Sequence, residues 1–341
     1  MDLSRRELLV AAGLGLVGYA SLGGGDTPPL APLLESGTRT EPLRPVAGGS
    51  AVSVEESDGF GTLGGGVEGP EGENLVVTSR HVVDPDYPDG DDEDVLGRSV
   101  YQPDEGTDPI GEVVDVGPTK GSGATDWAVV EIEEAEEWSA HVLGIGEPLE
   151  AGEAEIGDRI VMSGLSTGLV GGEITDTGVS TNWRGTLLDG VVEYRIDDDL
   201  DTAGNSGSWV GSLSSEGFRP VGIHTFRDDG ARYAIPVSDV LEGAGVELTS
   251  EGERPEAPGV GSFVEGSVLE WSDNSVSAVT ANVGGDTVEE REIEVLDEEG
   301  ETIDSELVTL DPLELELLEM DSAGRPTIST GDVERSAVDL R

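Results

Sequence analysis

The 341-residue sequence contains no cysteine. Disulfides, thiolate metal sites and cysteine nucleophiles are therefore excluded, and an exported form must rely on packing, with bound cations the other means open to it. Lysine occurs once, as Lys120, and 18 basic residues stand against 73 acidic ones, for a net charge of −55. No basic stripe exists, which argues against nucleic-acid binding. Aromatic residues make up only 4%. Long helical patterns are also absent; the 51 glycines favour turns and short strands.

What is present is charge of one sign laid over recurring apolar runs. In dilute salt so many carboxylates would repel one another and oppose folding. In molar salt the Debye length falls to about 3 Å and the repulsion is screened. The composition is that of a halophile's protein with a carboxylate-covered surface. Residues 84–95 form the most acidic loop. A calcium site is conceivable there, but the spacing is not that of an EF-hand, and a solvated surface loop is the preferred reading in a chain this acidic.

The N-terminus carries Ser4-Arg5-Arg6-Glu7-Leu8-Leu9, then an apolar, small-residue stretch to about Leu22. Residues 1–25 resemble a twin-arginine signal, the route for proteins exported already folded. The expected location is extracellular or at the cell surface, and an uncleaved segment would act as a membrane tether. Residues 26–46 read as a Pro-, Thr- and Leu-rich linker, 47–245 as one β-rich unit, 246–262 as a second linker. Residues 263–341 alternate apolar and polar, as in Leu313-Glu314-Leu315-Glu316-Leu317, which is sandwich patterning.

Three segments of the 47–245 unit carry chemistry. Asn74-Leu75-Val76-Val77-Thr78-Ser79-Arg80-His81 is a buried strand ending in a polar step and a histidine, a seat for a general base. His81 is one of three histidines, with His141 and His224. Asp126-Trp127-Ala128-Val129-Val130 opens an apolar strand with an aspartate. A buried carboxylate there needs a partner, and a histidine N–H is a natural one. Gly204-Asn205-Ser206-Gly207 sets a serine between glycines, where tight turns leave backbone N–H groups unshielded.

Set together in the order His81, Asp126, Ser206, these motifs resemble the chymotrypsin-like (trypsin-like) serine proteases, especially bacterial and HtrA-type members. Thr167-Gly168-Leu169 with Gly172, Gly222-Ile223-His224-Thr225 and Tyr233-Ala234-Ile235-Pro236 resemble further family segments. The likeness covers about 47–245 and implies a haloarchaeal, exported member: an all-β chain with two six-stranded barrels and the site between them. The tail resembles, loosely, Ig-like or CARDB-like sandwiches, and no PDZ domain is recognisable. By the resemblance, Ser206 is the nucleophile, His81 the base and Asp126 its orienting acid. Gly204 and Ser206 supply the oxyanion-hole amides. Leu200, His224, Thr225, Phe226 and Arg227 line the substrate site. No cofactor or metal is implied, and the partner is a peptide or protein substrate. Asn205 stands where trypsin-type zymogens carry an aspartate that pairs with a freed N-terminus, so activation by that pair is not expected. Leu200 suggests an apolar or small residue before the scissile bond. His224 matches a histidine that binds acidic side chains in glutamyl endopeptidases, or is a satisfied strand histidine. The alternative to a peptidase is a non-catalytic cell-surface binding protein on a protease-like fold.

Overall fold

The computed structural model describes residues 38–336 apart from 56–58, 104–106, 108, 133–137, 197–199, 215, 229, 251, 253–254, 256–262 and 273. The twin-arginine segment, 26–37 and most of 246–262 lie outside the described residues. Among the described residues no helix is long and apolar enough to cross a membrane.

The chain is all-β. Its first unit is a ring built around one bent strand. Gly61–Thr62 pairs with Ala51–Val54, and Gly66–Glu68 pairs with Asn74–Thr78. Between them Gly64 N–H donates to the Val77 carbonyl at 2.8 Å, so 61–68 changes neighbours part-way along. Asn74–Thr78 then pairs with Ala128–Ile132, that strand with Pro109–Val116, and that one with Ser99–Tyr101. Ser99–Tyr101 pairs with Ala51–Val54 and completes the circuit. The second ring is a closed barrel of Arg159–Gly164, Gly168–Trp183, Thr186–Ile196, Ala231–Pro236, Gly217–Asp228 and Trp209–Ser214. Numbered along the chain, both rings run 1-2-3-6-5-4. This is the double six-stranded barrel expected.

Strand alternation sorts the side chains into three cores. Val52, Val76, Val100, Val113 and Val130 fill the first ring. Ile160, Met162, Tyr194, Val210 and Ala234 fill the second. Leu75, Val77, Val129, Val161, Trp209 and Ile223 pack between them. Trp209 decides a glycine: a Cβ on Gly65 would stand 1.9 Å from its indole nitrogen.

Beyond the rings, Val264–Trp271, Ser275–Asn282 and Leu315–Asp321 form one sheet; Thr302–Leu310, Val288–Leu296, Thr327–Ser329 and Glu334–Ser336 form another. Val276, Ile293, Val308, Leu318 and Ile328 pack in one shared core, as the alternation predicts for a sandwich.

Three details differ from expectation. The described end of the segment read as a linker is packed: Leu43 is fully buried and Val46–Gly48 pairs with Trp138–Val142. Glu247–Leu248 adds to Gly66–Glu68, so the first ring recruits residues beyond 245. From the sequence a short helix is expected from about Ser238, with that serine as its cap; the helix is instead Val237–Ala244, with Pro236 at the cap position and no side-chain cap bond. Proline's fixed φ suits it to a helix start.

Candidate active site

The first ring's ladder brings two of the candidates together. Thr78 pairs with Ala128, so the residues just after one strand and just before the other leave the sheet at the same end. His81 lies on the one-turn helix Arg80–Val83 rather than on the strand itself. Asp126 is fully buried and accepts twice from it. The His81 backbone N–H donates to Oδ1 at 2.9 Å, and ring Nδ1 lies 2.7 Å from Oδ2. One carboxylate thus fixes both the turn and the imidazole.

Arg80 anchors the same turn. It is fully buried and binds Asp84 at 3.1 Å, Asp92 at 2.7 Å and the Gly117 carbonyl at 2.7 Å. The acidic loop 84–95 is therefore gathered under the site rather than wholly solvated. Arg80→Met leaves Asp84 buried and unpaired, and is expected to cost about 3–5 kcal/mol of stability. Denaturant unfolding in molar salt would measure it, and a loss below about 1 kcal/mol would contradict the role.

Ser206 comes from the second ring, on the loop before Trp209–Ser214. Thr62 reaches across the seam to hold that loop. Its N–H donates to the Ser206 carbonyl at 2.8 Å and its Oγ1 to the Gly204 carbonyl at 2.7 Å. Gly207 has φ +100°, and a Cβ there would stand 2.1 Å from the Thr62 carbonyl oxygen, so only glycine fits. With the carbonyls so held, the N–H groups of Gly204 and Ser206 donate to no protein acceptor among the described residues. Ser206 Oγ itself donates to the Thr225 carbonyl at 3.0 Å rather than to the ring of His81. A hydrogen bond between a nucleophile and its base is often loose or unmade before substrate arrives.

The five residues expected to bind substrate divide. Thr225 presents its carbonyl to Ser206. Phe226 stacks on Trp183 at 5.1 Å and on Tyr233 at 4.7 Å. Leu200 is half-buried, its carbonyl held by Arg232 Nη2 at 3.1 Å. Arg227 pairs with Asp201 at 3.2 Å. His224 turns away: it is 1% exposed, and its Nδ1 lies 2.8 Å from the Tyr194 hydroxyl, which belongs to the second ring's core. A bond to the Tyr233 backbone engages the ring as well. Of the two readings of His224, this geometry is that of a satisfied core histidine.

Burial first, then the charge of Arg232, lowers the His224 ring to about 3. The unfolded chain titrates near 6.5. Between those values the unfolded chain binds a proton that the folded chain refuses. Stability is then fully present above about pH 6.5 and declines as pH falls, by about 1.4 kcal/mol per unit. Unfolding free energies of wild type and His224→Gln at pH 6.5 and 4.5 should differ by that slope; parallel curves would refute it.

Sequence reasoning missed Trp183, at the tip of the long second-ring hairpin. Its ring stands edge-on to His81 at 4.7 Å between centroids and also faces Tyr87. Thr186, beside the tip, donates to the Thr119 carbonyl at 3.4 Å, tying the hairpin to the first ring. A tryptophan beside Arg184-Gly185 at an otherwise polar tip was the available signal.

No protein-family model matches the chain, and no curated protein does. Among solved structures it is similar to a glutamic acid specific serine protease that uses a histidine triad in substrate binding. Identity is 19%, covering 60% of this chain and 100% of that one, with a TM-score of 0.48. It is similar to protease A of Thermobifida fusca at 18% identity, covering 60% and 99%, with a TM-score of 0.47. Deg5 matches at 20% identity, covering 62% and 89%, with a TM-score of 0.37.

Proposed function

We propose that the chain is an exported, salt-adapted serine endopeptidase. The observation that carries this is the pairing of a fully buried Asp126 with His81 at one end of the first ring, facing a serine loop with two undonated amides. Ser206 Oγ attacks a peptide carbonyl and its proton passes to His81 Nε2. Asp126 keeps the other ring nitrogen protonated and steadies the imidazolium. The amides of Gly204 and Ser206 receive the oxyanion, each contributing about 3–4 kcal/mol by analogy with such donors elsewhere. His81 returns the proton to the leaving amine, and water releases the acyl group by the reverse path. Export by the twin-arginine route belongs to the same proposal and rests on the sequence of residues 1–25.

The residue before the scissile bond is apolar or small, in keeping with Leu200 and with a His224 engaged elsewhere. The next residue back meets Trp183. Because its indole leans on His81 and stacks on Phe226, little width remains, and small side chains or proline are expected there. Trp183→Ala should raise kcat/KM for peptides with leucine at that position by about tenfold or more, leaving glycine peptides unchanged. Peptide libraries scanned at that position would check it.

Labelling by a fluorophosphonate in molar salt, with fluorogenic-peptide hydrolysis beside it, tests the function. Absence of both in folded protein would favour the alternative, a surface binding module. The bond from Ser206 Oγ to the Thr225 carbonyl is the observation on that side.

A further inference from the structure

The sandwich reaches into the second ring with a buried carboxylate. Glu265, on Val264–Trp271, is fully buried and Arg39 is 2% exposed. Arg39 Nε donates to Glu265 Oε1 at 3.1 Å and Nη2 to Oε2 at 2.8 Å, a bidentate pair. Arg39 Nη1 also donates to the Gly49 carbonyl at 2.8 Å and to Ser163 Oγ at 2.9 Å. Three parts of the chain thus meet on one ion pair: the segment before the first ring, the second ring, and the sandwich.

Glu265 has a further partner. The Leu169 N–H donates to Oε2 at 2.8 Å. Gly168 has φ +65°, and a Cβ there would stand 2.6 Å from Glu265 Oε1. The carboxylate therefore seats directly on the hairpin turn between Arg159–Gly164 and Gly168–Trp183.

The other side of that turn holds the residue before the serine. Asn205 is fully buried. Its Oδ1 accepts from the Ser166 N–H at 2.8 Å and from Ser166 Oγ at 2.7 Å, and its Nδ2 donates to Thr167 Oγ1 at 2.8 Å. Only residues 166–169 separate the grip on Asn205 from the grip of Glu265.

We propose that Glu265 is a positioning residue for Ser206, acting through the 166–169 turn and Asn205, so that docking of the sandwich sets the serine loop. This rests on the peptidase reading above. A carboxylate from the sandwich, held by Arg39, thereby fixes the neighbour of Ser206 from behind. Small displacements of a reacting group carry large rate penalties, which is why so remote a carboxylate affects turnover.

The test uses the full chain in molar salt. Glu265→Gln keeps shape but removes the charge shared by Arg39 and Leu169. Thr167→Val cuts the same relay near Asn205 with the sandwich contact left whole. Ser267→Ala removes a different bond of that contact, from the Gly171 N–H at 2.7 Å, and serves as the control. Each is assayed well below its melting midpoint for kcat, KM and fluorophosphonate labelling rate. Glu265→Gln and Thr167→Val should each lower kcat and labelling by about 10- to 100-fold with KM within about threefold. Ser267→Ala should stay within about twofold, and the double variant should be no worse than the poorer single one. Wild-type turnover in folded Glu265→Gln overturns the proposal. So does a Thr167→Val defect that multiplies independently with it, or a loss that merely tracks the unfolded fraction. If Glu265→Gln does not fold, Thr167→Val decides alone: undiminished kcat overturns the relay. A wild type that neither labels nor hydrolyses sinks the peptidase reading itself, and the relay with it.

Discussion

Ser206→Ala is expected to lower kcat by about a millionfold while leaving the protein folded. The size follows from what the substitution removes. Alanine deletes the atom that would bond to the peptide carbonyl, so His81 has no proton to take and the covalent route closes. The loop does not depend on that atom. It is held by the bonds of Thr62 to the Gly204 and Ser206 carbonyls and by Gly207 N–H on the His224 carbonyl at 2.8 Å. Ser206 Oγ gives up only its 3.0 Å bond to Thr225. The midpoint of thermal unfolding should therefore move by a few degrees at most. Fluorogenic-peptide hydrolysis and circular dichroism in molar salt decide it; persistence of more than a thousandth of the activity would remove Ser206 from its assigned role.

Asp126→Asn is expected to lower kcat by about ten-thousandfold, with the backbone little changed. Asparagine is nearly isosteric, and its Oδ1 can still accept the His81 backbone N–H. Its other atom, however, becomes a donor aimed at His81 Nδ1, where a carboxylate oxygen stood 2.7 Å away. Nδ1 must then carry the lone pair and Nε2 the proton. The imidazole is left in the tautomer that cannot accept from Ser206. No carboxylate remains to steady an imidazolium either. The variant should still bind peptide substrates, so the loss should fall on kcat rather than KM. A kcat within tenfold of wild type would show that Asp126 serves the fold alone.

The contact of His81 with Asp126 was legible because each sits at the end of a short apolar run, and antiparallel ladders turn run ends into neighbours. Thr78 opposite Ala128 is enough to bring 81 and 126 to one place. The orientation of His224 was not legible. Ile223 faces the core between the rings and His224 the interior of the second. Where both faces of a strand are buried, apolarity loses its parity and cannot say which side chain meets the cleft. Arg39 with Glu265 was hidden for another reason. The partners are 226 residues apart, and in a chain with 73 acidic residues no single glutamate stands out. Arg39 itself lies in a stretch whose prolines and threonines read as linker. Trp183 was hidden as well: it lies at the tip of the hairpin between Gly168–Trp183 and Thr186–Ile196, which the sequence pattern did not reveal.

The bent strand 61–68 has a consequence for the molecule's own survival. A peptidase of this kind takes its substrate as an extended segment laid against a strand, and such segments are found at unpaired sheet edges. By changing neighbours midway, 61–68 leaves the first ring with hardly any edge, and Glu247–Leu248 covers part of what remains. The second ring is closed outright. Copies of the chain therefore offer one another few segments of the required shape within the rings. What they do offer includes the sandwich's edge strand Thr302–Leu310, which carries Asp304 and Glu306 toward an equally acidic neighbour. On the proposed peptidase reading, resistance to self-digestion follows from the topology, before any inhibitor or compartment is invoked.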